Sequence, residues 1–244
     1  MSAREDIHLR GITWNHTRGL VPMVAAAQRF EELNPGVHIS WEKRSLQQFA
    51  DQPLAELGAQ YDLLVIDHPW AGFAATSGVL SPMEELVSPA FLADQAANSV
   101  GPSYESYRYG DRQWALPIDA ATPVASWRRD LLEAREVAPP EAWEDLLTLA
   151  RDGLVVMPGI PQDTIMNFYM LCELPGSDLF ASEEVVVSDE VGITALERLR
   201  ELSSLMPREI FDWNPIAVYE AMTRVDDYAY CPWAYGYSNY AREG

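Results

Sequence analysis

The stretch Ile7-His8-Leu9-Arg10-Gly11-Ile12-Thr13-Trp14-Asn15-His16-Thr17-Arg18-Gly19 decides the reading of the whole chain. Its first eight residues are apolar and β-branched enough for a strand, and they run into a polar turn. Leu20, Met23, Val24, Ala27, Phe30 and Leu33 then recur at helical spacing. Pro22 is tolerated there, because the first helical turn has backbone N–H groups to spare. Asn34-Pro35-Gly36 stops the helix. Val37, Ile39 and Trp41 alternate with His38 and Ser40, the pattern of a half-buried strand. A polar helix is expected from about Leu46 to Leu57, and Leu63 to Ile66 reads as a central strand covered on both faces.

Strand, helix, strand, helix, strand at this spacing implies parallel pairing through right-handed crossovers. In open sheets of that kind, ligands bind beyond the carboxyl ends of the strands. The segments Trp14 to Arg18, Glu42 to Ser45 and Asp67 to Trp70 therefore become the first places to look for a site.

Further along, Tyr109-Gly110-Asp111 has the composition of a hairpin turn. Trp114 to Ile118 and Pro123 to Trp127 read as extended, Asp130 as the cap of a short helix, and Glu141 to Arg151 as a firmer helix behind Pro139-Pro140. Leu154-Val155-Val156 reads as a second buried strand. Helices are expected near Thr164–Cys172, Glu190–Leu205 and Pro215–Thr223, and a last strand from Tyr228 to Pro232. The second alternating unit begins near residue 118. The expected division is thus 1–117 for a first α/β lobe and 118–244 for a second, with chain crossings near 115–125 and again near 232–244. No fixed-period repeat interrupts this pattern.

Composition narrows the function. The 244 residues are 48% hydrophobic, enough for a true core. A formal charge of −20 argues against nucleic acid, whose phosphates need a Lys/Arg face, and against docking on an anionic membrane. No apolar run approaches the roughly 20 residues that span a bilayer, so no membrane insertion is expected. Lys43 is the only lysine, which reads as a genome-composition bias. Cys172 and Cys231 form no CxxC pair, so neither a redox motif nor a structural zinc site is indicated; a bond between them is left open. Met1 to Asp6 leads straight into the first strand with no apolar export core.

Several phrases, taken in order, resemble the bacterial extracellular solute-binding proteins of ABC importers. Phe30-Glu31-Glu32-Leu33-Asn34-Pro35-Gly36-Val37 is similar to their first helix end, and Tyr61-Asp62-Leu63-Leu64-Val65-Ile66-Asp67 to their third strand. Gly78-Val79-Leu80-Ser81-Pro82-Met83 resembles the turn that follows it. Tyr109-Gly110-Asp111-Arg112-Gln113-Trp114-Ala115-Leu116-Pro117 resembles their hairpin. Arg129-Asp130-Leu131-Leu132, Pro139-Pro140 and Trp143-Glu144-Asp145-Leu146 complete the series. The resemblance implies a two-lobed α/β fold of the type II periplasmic binding protein kind. Ligand would be held in a cleft that closes about a hinge, for delivery to an ABC transporter permease. It also implies a periplasmic or extracytoplasmic location, although the chain shows no signal peptide and a cytoplasmic location stays open. Family members continue further, so the chain is expected to lack the C-terminal portion.

Candidate site residues follow from strand ends and from the resemblance together. Trp14 is placed to stack on a ligand, with Asn15, His16 and Arg18 as polar partners; the alternative is a plain turn capped by Thr17 or Asn15. Arg44 belongs to a charged segment at the second strand end, read either as site or as solvated loop. Asp67, His68 and Trp70 pair a carboxylate, an imidazole and an indole, suited to hydroxyls and a sugar face; as metal ligands they lack a third member. Asp119 and Thr122 lie at the expected crossing, where Asp119 accepts ligand hydroxyls or merely caps a turn. Asn167 faces the cleft from a second-lobe helix, whose cap is Asp163 or Thr164. Trp233, Tyr235 and Tyr237 fall in a Gly-broken aromatic loop, expected to be too crowded for all to be core.

No GxSxG, HExxH, GxGxxG or GxxxxGK[ST] motif occurs, so no enzyme activity and no cofactor are expected. The expected function is capture of a small polar solute, carbohydrate first, by loops of both lobes edged with indole and phenol rings. The rival is an intracellular ligand sensor or an enzyme that reuses the fold.

Overall fold

A computed structural model describes residues 6–241, except 181 and 183. The reading of the N-terminal start as free of an export core falls, for residues 1–5, outside the described residues. The end of the expected second crossing, residues 242–244, does so as well. The chain divides between Ala120 and Ala121 into two compact units.

The first unit is built on β1 (Ile7–Trp14), α1 (Thr17–Leu33) and β2 (Val37–Arg44). The period of the apolar residues changes from 2 to 3.6 and back, and the observed boundaries follow those changes. Asn34 ends α1, and Gly36, at φ +90°, makes the turn into β2. The polar helix expected over residues 46–57 is in fact two short ones, α2 (Leu46–Asp51) and α3 (Leu54–Gly58). Pro53 stands between them, where its missing N–H cannot continue a helix. Ser45 caps α2 in a reciprocal box with Gln48.

β3 (Leu63–Leu64) completes a parallel sheet of order β2-β1-β3. The parallel pairing is as expected, but the central strand is β1 and not the 63–66 segment. Flanked on both sides, β1 is buried at every residue from Gly11 to Trp14, while Leu63 and Leu64 are only half-buried. Gly11 is required there, since a Cβ on it would overlap the Trp41 indole.

α4 (Trp70–Ser77) ends at Gly78 in the left-handed region, and α5 (Pro89–Asn98) follows a 3-10 turn. β4 (Arg108–Tyr109) and β5 (Arg112–Gln113) form the expected hairpin. Its two-residue turn, Gly110-Asp111, has φ of +58° and +60°, the left-handed pair that suits strand twist.

In the second unit β6 (Ser126–Trp127) pairs antiparallel with β7 (Tyr230–Cys231). Leu154 to Met157 is as buried as expected, yet it joins Tyr230 by a single parallel bridge instead of forming a full strand. Around it pack α6 (Arg129–Ala134), α7 (Trp143–Arg151), α8 (Pro161–Glu173), α9 (Asp189–Ser204) and α10 (Pro215–Arg224). Asp130 does not cap α6. It sits in the first turn and takes Nε and Nη2 of Arg128, the residue at the cap, at 2.8 and 2.6 Å. Neither Asp163 nor Thr164 caps α8, which starts after Ile160 with Pro161 in its first position. Cys172 and Cys231 are free thiols, both buried in this unit's core. No helix among the described residues is long and apolar enough to cross a membrane.

Candidate functional site

Parallel strands bring the carboxyl ends of β1, β2 and β3 to one edge of the first unit, and the loops leaving them carry polar side chains. His16 is the N-cap of α1, in place of the Thr17 or Asn15 expected in the plain-turn reading. Its Nδ1 accepts from the Arg18 backbone N–H at 3.3 Å. Burial pushes the His16 pKa down, the Arg18 charge lowers it further, and Asp119 opposes both. Arg18 Nη2 donates to Asp119 Oδ2 at 2.7 Å and to the Ala120 carbonyl at 3.4 Å.

Asp67 follows β3, and burial pushes its carboxyl above the usual range, against the pull of His68 and Arg44. Tyr107, just before the hairpin, donates its hydroxyl to the Ile66 carbonyl at 3.0 Å. Burial raises its pKa to about 12, with Asp67 and Asp119 adding to the effect. His68 is exposed and meets the Tyr107 ring edge-on at 6.5 Å. Trp70 opens α4, half-buried and edge-on to Phe73.

His16, Arg18, Asp67, His68 and Asp119 are thus brought together, with Tyr107 among them and Trp70 beside them. Two expected members lie beneath this surface. Trp14 is 7% exposed and packs with Phe49 and Val65, so it is core and not an open stacking platform. Arg44 is 5% exposed and donates to the carbonyls of Val65 at 3.0 Å and Gln48 at 3.3 Å, with its guanidinium over the Phe49 ring. It braces the strand ends from below and is not a solvated loop residue. Asn15 is exposed, and its backbone N–H bonds the Arg44 carbonyl.

The second unit gathers its own candidates. Thr122 is exposed. Asn167 is fully buried, with Nδ2 donating to the Pro158 carbonyl at 2.8 Å. The loop was expected to be too crowded for all three rings to be core; Trp233 and Tyr237 join the core, and Tyr235 is left partly buried against it. Between them Tyr235 and Gly236 both take left-handed φ, +61° and +59°.

Two residues of these clusters escaped the sequence reading. Tyr107 stands one residue before the hairpin strand, where alternation with Tyr109 was the available signal. Asp163 lies in the first turn of α8 but is buried, and nothing in the sequence distinguishes it from a solvent-facing acid. Among the described residues, no group of three or more His, Cys, Asp or Glu side chains is placed to hold a metal ion.

The family model for the bacterial extracellular solute-binding protein matches residues 13–153, from the end of β1 to just past α7. The chain belongs to that family. A mannitol-binding protein of Pseudomonas aeruginosa is 29% identical over 133 residues, which is 52% of this chain and 29% of the relative. Among solved structures, the ribitol-bound ABC transporter solute-binding protein of Agrobacterium radiobacter K84 matches with a TM-score of 0.74 at 18% identity. The match covers 98% of this chain and 63% of that one. The maltose-bound MalE3 of T. maritima gives a TM-score of 0.77 at 16% identity, covering 97% and 64%. Both belong to the α/β fold of type II periplasmic binding proteins, and this chain shares that fold. It spans less than two thirds of the length of each of these relatives.

Proposed function

We propose that the chain captures a small polyhydroxylated solute, a sugar or sugar alcohol, outside the cytoplasm for an ABC-type importer. The permease of that importer would be its protein partner, and no chemical turnover would take place. One observation carries this reading. At the carboxyl edge of the β2-β1-β3 sheet, Asp67 and Asp119 offer acceptors while Arg18, His16 and His68 offer donors or mixed groups, close to one half-buried indole, Trp70. Vicinal hydroxyls both donate and accept, and their C–H faces favour aromatic rings, so this mixture suits a polyol better than a uniformly charged ligand. The family match supports it, as do relatives described as mannitol-binding, ribitol-bound and maltose-bound. Asn167, Thr122, Trp233, Tyr235 and Tyr237 are the second unit's own candidate solute contacts, and Trp14, Arg44 and Asn15 would support the first unit's loops.

Calorimetric titration and thermal shift with mannitol, ribitol, tagatose and maltose test the reading. A ligand at a hundred times its dissociation constant adds about 2.7 kcal/mol of stability. Binding by at least one of them, reduced in Asp67→Asn, is expected. No shift with any of the four, or conversion of one into product by catalytic amounts of protein, would overturn it.

A further inference from the structure

Asp163 and Asn167 are four residues apart on α8 and therefore share one helix face. Both are more than nine-tenths buried. The Nδ2 of Asn167 is committed to the Pro158 carbonyl, which fixes the amide so that Oδ1 is the atom left over. Asn167 Oδ1 and Asp163 Oδ2 are both buried without a hydrogen-bond partner. The Tyr235 hydroxyl faces the Asp163 carboxyl, although it too is buried without a well-formed hydrogen bond. An ionised Asp163 thus leaves two acceptors to share one donor. One additional proton balances the cluster, because a neutral carboxyl donates to Asn167 and still accepts from Tyr235.

We propose that Asp163 is a positioning residue for the 233–237 loop, and that a proton held between it and Asn167 fixes the loop's left-handed turn at Tyr235. Tyrosine in that region of φ is strained and stays there only when its surroundings hold it. The hydroxyl of Tyr235 is the handle by which α8 does so.

Titration agrees with the donor count. Burial pushes the Asp163 carboxyl up to about 6, and the Tyr235 hydroxyl lowers it only in part. The first turn of a helix ordinarily favours an ionised Asp, so burial outweighs the helix dipole at this position. The titratable groups reaching the cluster are Tyr235 and, around that hydroxyl, Tyr237 and Cys231, from β7 and the loop after it. Among the described residues, α9, which packs along α8, places no charge that acts on Asp163. A carboxyl raised in the folded state stabilises the fold most below its ordinary value, and that stability is lost as pH rises through about 6. The loop is held firmly in mildly acidic surroundings and loosened toward neutrality. Its consequence for solute capture rests on the binding role proposed for Tyr235.

The experiment is thermal unfolding of the ligand-free chain from pH 5 to pH 8 in the wild type, Asp163→Asn and Tyr235→Phe. Asparagine at 163 carries an N–H donor without the proton, so it reproduces the neutral network. Asp163→Asn is expected to melt several degrees above the wild type at pH 8, and the gap to narrow toward pH 5 without closing, because the wild type regains its full stability only below the ordinary carboxylate value. Tyr235→Phe removes the hydroxyl that lowers the Asp163 pKa and is expected to melt below the wild type with a steeper decline as pH rises. A wild-type minus Asp163→Asn difference that is constant across the range overturns the proposal. If Asp163→Asn fails to fold, direct titration of the Asp163 carboxyl by 13C NMR in the wild type decides, and an ordinary carboxylate value overturns the proposal. Because these measurements need no ligand, absence of sugar or polyol binding would count against the proposed function alone.

Discussion

Arg18 Nη2 stands 2.7 Å from Asp119 Oδ2, joining the first turn of α1 to the last residues of the first unit. The two side chains are 15% and 30% exposed, so the pair is screened less than a surface salt bridge, and its loss costs about 1 kcal/mol. His16 responds to both partners. Asp119→Asn is expected to lower the His16 pKa further, and Arg18→Gln to raise it, as read by NMR titration of the imidazole. Folding already depresses this pKa, so its contribution to stability is complete above the ordinary imidazole value and fades as pH falls through the folded one.

Trp14 and Trp70 should separate stability from binding. Trp14→Ala empties a packed site beside Phe49 and Val65 and is expected to cost about 3–5 kcal/mol in urea unfolding. Trp70 is half-buried, so Trp70→Ala should cost less stability and weaken the proposed polyol binding by about tenfold, roughly 1.4 kcal/mol.

Gly19 in α1 has no room for a side chain, because a Cβ there would overlap the Trp14 ring. Gly19→Ala would ordinarily favour a helix. Here it is expected to destabilise the first unit by about 1–3 kcal/mol, with a change in tryptophan fluorescence as the check.

Arg44→Met keeps the length of the side chain and removes the donors to the Val65 and Gln48 carbonyls. A loss of about 1–3 kcal/mol is expected from those unpaired groups. It also removes a charge that lowers the Asp67 pKa, so that carboxyl should titrate higher still. A raised carboxyl loses its stabilising effect as pH rises, and the variant should therefore show a steeper decline toward neutrality than the wild type.

The path of the chain was written in its periodicities. The 7–14 strand, the 17–33 helix and the hairpin at Gly110-Asp111 each follow from local chemistry, and the parallel sheet follows from their order. What local pattern does not carry is which side chain ends up covered. Trp14 and Trp233 stand at positions that sequence cannot tell from ligand platforms, and their burial depends on residues distant in the chain such as Val65 and Leu154. Arg44 and Asp163 show the same gap for charge. A guanidinium that braces carbonyls and a carboxyl sealed beneath a tyrosine both read as ordinary surface groups until the backbone is in place.

Cys172 and Cys231 belong to the second unit, and the chain has no other cysteine. Burial holds the Cys231 thiol up, to about 12, leaving almost no reactive thiolate at neutral pH while the unit is closed. A maleimide or disulfide reagent added to the native protein would therefore count openings of that half alone and ignore the first. The molecule carries its own chemical gauge for the opening of its second half, with no label to engineer.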